Sequence, residues 1–109
     1  MPNTTISEIL NGKDWILADG ATGTNYFSVG LQSGDSPELW NIDYPERVAT
    51  LHREFIDAGS DIILTNSFGG TSCRLKLHGS EDRVRELNRA AAFIARNEAD
   101  RAKKNIIVA

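Results

Sequence analysis

Apolar residues fall in short consecutive runs at "WILAD" (15–19), "DIIL" (61–64) and "NIIVA" (105–109). Such runs are consecutive rather than alternating, which predicts strands covered on both faces. Between the second and third runs the spacing becomes helical: Ser80 stands as an N-cap with Glu81 and Asp82 against the helix dipole. Val84, Leu87, Ala91, Ile94 and Ala95 then form an inward stripe that ends at Lys103 and Lys104. A second helix precedes the 62–64 strand. It opens at Pro45, with Asp43 as its cap, carries Val48, Leu51, Phe55 and Ile56 on one face, and closes at Gly59. A short helix with Ile6, Ile9 and Leu10 begins the chain, and residues 20–44 read as a long Gly-, Ser- and Asn-rich loop with at most one helical turn.

The order is therefore strand, helix, strand, helix, strand, which predicts an α/β fold of parallel strands joined by right-handed βα crossovers. Parallel strands need cover on both faces, and two main helices cannot supply it for three strands. Residues 1–109 are accordingly expected to be one part of a larger assembly, folding with a partner or with further chain. The chain is 40% hydrophobic and 25% charged, enough for a single modest core. Its net charge of −3 and interspersed basic residues argue against a nucleic-acid partner. No secretory pattern and no apolar run near the length of a membrane span, about 18 residues, can be read, so a cytoplasmic protein without membrane contact is expected.

Candidate chemistry gathers where the strands end, because ligands of parallel α/β folds lie beyond the carboxyl ends of the strands. Those ends are Asp19-Gly20 and Thr65-Asn66-Ser67. Asp19 either holds an ammonium group or orders a loop. Gly20 and Gly23 let backbone N–H groups approach an anion, and Thr65 and Asn66 offer a hydroxyl and an amide. The alternative for each is local: a turn at Asp-Gly, and backbone satisfaction by Thr-Asn-Ser. Neither a dinucleotide fingerprint nor a phosphate loop is present. His52 and His78 lack a second ligand or nucleophile at useful spacing and read as packing or surface residues. Cys73 is alone and reads as a half-buried thiol. Trp40, Tyr26, Phe27 and Phe68 form either a cation-binding box or core.

The blocks "ILADGATGT", "PELWNIDYPERVATLHREFIDAGSDIILTNSFGG" and "EDRVRELNRAAAFIARNEAD" together resemble the N-terminal part of the homocysteine S-methyltransferase domain. That domain occurs in betaine–homocysteine methyltransferases, S-methylmethionine-dependent enzymes and cobalamin-dependent methionine synthase. The resemblance implies a (β/α)8 TIM barrel of which residues 1–109 are roughly the first third. It also implies methyl transfer to homocysteine, held as a thiolate on zinc, to give methionine. By the same resemblance Asp19, Gly20, Ala21 and Thr22 match the loop that grips the amino acid end of homocysteine, with Thr65 and Asn66 beside it. The family's zinc ligands are cysteines on late barrel strands, including a Gly-Gly-Cys-Cys type motif. No such motif occurs and Cys73 matches none of them, so this chain alone is expected to bind no zinc and to be inactive. Gly69 stands where betaine-type enzymes carry an aromatic residue. Betaine, another methylated onium compound and methyltetrahydrofolate all remain open as donors. The competing expectation is a non-catalytic binding or assembly module that joins a partner chain or a second copy of itself.

Overall fold

The computed structural model describes residues 5–109. Its helices are α1 (Ile6–Leu10), α2 (Gly23–Phe27), α3 (Trp40–Asp43), α4 (Pro45–Asp57), α5 (Ser72–Lys76) and α6 (Val84–Arg101), with strands β1 (Ile62–Ile63) and β2 (Ile107–Val108). The two strands pair in parallel, Ile62 opposite Ile107 and Ile63 opposite Val108. Residues 17–19 lie along the other edge of β1, in parallel through a bridge between Ala18 and Ile62. The predicted α/β order and the parallel pairing are thus present.

The 15–19 run departs from expectation. It forms only that bridge, and it is not buried: Trp15 is 59% exposed and Leu17 44%. The pleat shows which face of the sheet is covered. Ala18, Ile62 and Ile107 are pairing partners and share one face of the sheet, whereas Ile63 faces the helices and is fully buried with Ile56, Ala95, Ala99 and Ile106. The helices cover one face and leave the other open, so Leu64 is 50% exposed.

Side chains finish what the short strands begin. The amide of Leu17 donates to Asp61 Oδ2 (2.9 Å), and the amide of Leu64 donates to Asp19 Oδ2 (3.0 Å). Between these ends the backbone supplies Asp61 N–H to Leu17 O (2.7 Å) and Asp19 N–H to Ile62 O (2.9 Å). Asp61 is buried and also meets the Lys13 ammonium at 2.6 Å. Desolvation works against its charge, but the Leu17 amide and Lys13 outweigh it and hold the carboxyl below its ordinary 3.8.

α4 and α6 pack across the helix layer. Pro45 opens α4 as expected, and Gly59, at φ +115°, closes it in a conformation that favours glycine. Val48, Leu51 and Ile56 are buried, as are Leu87, Ala91, Ile94 and Ala95 of α6. Arg53 joins the helices by donating to both oxygens of the buried Glu98, Nε to Oε2 at 3.1 Å and Nη2 to Oε1 at 2.9 Å.

The predicted caps differ. Asp43 lies inside α3, and Tyr44 precedes α4 without a side-chain capping bond. Ser80 Oγ donates to His78 O, and a 3₁₀ turn over Glu81–Arg83 separates it from α6, which ends at Arg101 rather than at the lysines. Residues 20–44 hold more helix than one turn, because Tyr26, Leu31 and Trp40 are drawn into the core with Val48, Leu51 and Ile94. Packing overrides the loop-like composition there.

Two outcomes are expected. Ile63→Ala, at a fully buried site, lowers stability by about 3 kcal/mol, against less than about 0.5 kcal/mol for Leu77→Ala at an exposed one, both measured by urea unfolding. Asp61→Asn destabilises at neutral pH. Because the folded carboxyl titrates below 3.8, its contribution is complete above that value and is lost as pH falls through the folded value. The gap between wild type and variant therefore narrows in strong acid, as unfolding at pH 7 and near pH 2 will show.

Candidate functional site

β1 runs into the segment Thr65–Gly70, whose first residue is tied to the neighbouring strand by its amide, which donates to Ala109 O at 2.8 Å. The hydroxyls of Thr65 and Ser67 share a hydrogen bond of 2.6 Å. Asn66 is buried, and its Nδ2 donates to Pro37 O (2.8 Å) and Asn41 Oδ1 (3.0 Å), while its backbone carbonyl accepts from Asn41 Nδ2 (2.9 Å). This clasp fixes the strand end against residues 37–41 and leaves Thr65 and Ser67 lining a cleft of about 270 Å³. Thr22, from the loop after the 17–19 segment, reaches the same cleft, as does Arg74 of α5. The structure therefore brings Thr22, Thr65 and Asn66 together at one mouth beyond the strand ends.

Asp19, Gly20 and Ala21 do not line that cleft. Asp19 follows Ala18 in the pleat and so turns to the helix side, where Oδ2 accepts from Leu64 and Oδ1 is buried with no partner among the described residues. Of the two roles open to it, ordering a loop is the one its bonds perform here. A Cβ on Gly20 would stand 3.3 Å from the Phe55 ring, so the missing side chain admits α4. Gly23 meets nothing within 4 Å and opens α2.

Several contributors escaped the sequence reading. Glu38, buried, accepts from Ser36 Oγ (3.1 Å) and from the Gly69 amide (3.3 Å). A Cβ at residue 69 would sit 2.6 Å from Glu38 Oε1, so the carboxylate occupies the space of a side chain there. The Tyr26 hydroxyl and His52 Nε2 are also buried without partners among the described residues. Burial, then the charges of Asp19 and Glu38, raise the Tyr26 pKa and keep its O–H a donor. Burial lowers the His52 pKa from 6.5 against the opposing pull of Asp19 and Glu98, so the imidazole is neutral. His52 thus packs in the interior, and His78 is exposed. The aromatic residues do not form a box. Tyr26 and Trp40 are core, 5.3 Å apart between ring centres, while Phe27 and Phe68 point to solvent. Cys73 is exposed on α5 rather than half-buried.

Among the described residues no group of His, Cys, Asp and Glu side chains could hold a metal ion. A zinc such as the resemblance implies would find no ligand set among the described residues.

In solved structures the fold has counterparts in the homocysteine methyltransferase MmuM from Escherichia coli. The oxidised form superposes with a TM-score of 0.83 at 23% identity, covering 98% of this chain and 40% of that one. The metallated form gives 0.79 at 24% identity, covering 93% and 38%. In sequence the chain is 33% identical over 91 residues to methionine synthase of Mycobacterium tuberculosis, covering 78% of this chain. Methionine synthase of Mycobacterium leprae is 32% identical over the same length. The chain spans only 8% of the length of those relatives. A family profile described as homocysteine S-methyltransferase matches residues 16–109. With nearly every residue after α1 inside that match, the chain belongs to the homocysteine S-methyltransferase family.

Proposed function

We propose that the protein carrying this chain transfers a methyl group to the sulfur of homocysteine, giving methionine, and that this chain supplies part of the site for the amino acid end of homocysteine. The observation that carries the reading is the convergence of Thr22, Thr65 and Asn66 on one cleft at the strand ends, within a chain of this family. The Thr65 and Ser67 hydroxyls and the Arg74 guanidinium offer donors of the kind a carboxylate needs. Asp19, Gly20 and Ala21 shape the site from behind, since Asp19 pins the start of the Thr65–Gly70 segment through Leu64. Further βα units completing a barrel would cover the open sheet face, and any zinc ligands would come from outside residues 5–109. The donor is betaine, another onium compound or methyltetrahydrofolate. The chain by itself is inactive, and the protein works in the cytoplasm.

One observation favours a second reading. Leu64 on the open sheet face, and Trp15 and Leu17 in the segment along the sheet edge, leave apolar surface exposed, which suits a module that binds a partner chain without catalysis.

Titration calorimetry of the intact protein with homocysteine separates the two. Binding is expected, and Thr65→Val is expected to weaken it by about tenfold, the loss of roughly one good hydrogen bond, with little change in melting temperature. A folded protein that takes no homocysteine but associates with a partner through this face would favour the second reading.

A further inference from the structure

Behind the strand ends, three polar atoms from three separate segments are buried without a partner among the described residues: Asp19 Oδ1, Tyr26 Oη and His52 Nε2. Tyr26 is 1% exposed and His52 2%. Buried polar atoms left unpaired are costly, so three behind the strand ends call for an explanation.

The packing brings their segments together against α4. Asp19 turns to the helix side of the sheet, and Gly20 next to it lies against Phe55 of α4. His52 stands one turn before Phe55 on the same helix face. Tyr26 packs in the same cluster as Val48 and Leu51 of that helix. The charge of Asp19 is felt by both Tyr26 and His52.

Their chemistry is complementary. A carboxylate oxygen only accepts, a neutral phenol donates, and a neutral imidazole nitrogen does either according to its tautomer. None is bonded directly to another, and a single water, with two donors and two acceptors, matches all three. We propose that Asp19, Tyr26 and His52 enclose a site for one internal water, through which Tyr26 and His52 act as positioning residues for Asp19. Asp19 in turn fixes Leu64 and the start of the cleft segment. The water site does not depend on the reaction; its effect on homocysteine rests on the function proposed above.

A high-resolution crystal structure of the intact protein, with homocysteine titrations of Tyr26→Phe, His52→Leu and His52→Gln, provides the test. The wild type is expected to show one ordered water within about 3.2 Å of all three atoms. Tyr26→Phe and His52→Leu are expected to lose it and to bind homocysteine about tenfold more weakly, while His52→Gln, which keeps a polar end, restores both. A dry pocket, a direct Tyr26–Asp19 bond, or equal weakening by both His52 variants would overturn the proposal. Should a variant fail to fold, the wild-type density decides alone. An ordered water in a protein that binds no homocysteine would uphold the water site and contradict the function.

Discussion

Two aspartates close the seam on which the rest of the structure depends. Asp61 receives the Leu17 amide at one end and Asp19 receives the Leu64 amide at the other, so side-chain oxygens extend a parallel ladder whose backbone part is very short. Strand-end amides without a backbone partner need an acceptor, and carboxylates make stronger acceptors than carbonyls. Asp61 has the Lys13 ammonium to offset its burial. Asp19 has no such cation among the described residues, and its second oxygen remains for the interior. One residue type thus serves two ends differently: one end is an ion pair that anchors, the other joins the strand to the cleft.

From that seam the site follows. Leu64, held by Asp19, leads directly into Thr65 and Asn66, and the Asn41–Asn66 clasp fixes the same segment from the opposite side. The cleft is therefore held on both flanks, by the buried Asn41–Asn66 bonds and by the more exposed Asp19–Leu64 bond, with Thr65 and Ser67 in its wall. Glu38 filling the space beside Gly69 sets the shape of that wall. The open sheet face shows the other side of the same economy, since α4 and α6 cover only the face that carries Ile63.

Much of the helix layer was legible in the sequence, because periodicity reports which face is buried. Val48, Leu51 and Ile56, and Leu87, Ala91, Ile94 and Ala95, all lie inward, and the stop at Gly59 is physical. The family was legible too, from blocks in register. Exposure of the 15–19 run was not, since consecutive apolar residues signal cover on both faces without saying which chain provides it. The caps at Asp43 and Ser80 failed because short helical turns, formed where Trp40 is buried and where Glu81–Arg83 bridges to α6, displaced the helix starts. Thr65 and Asn66 were singled out from the strand ends, and Thr22 from the family resemblance. Glu38, Tyr26 and His52 were not assigned to the site, because their significance lies in contacts between distant segments that no local pattern encodes.

The most direct measurement is a map of amide shifts in the isotopically labelled intact protein as homocysteine is added. The account predicts that the largest changes fall on Thr22, Thr65, Asn66 and Ser67, with Leu64 following through its bond to Asp19. Saturable changes confined to α6 or to the Trp15 edge, with the strand ends unmoved, would contradict it.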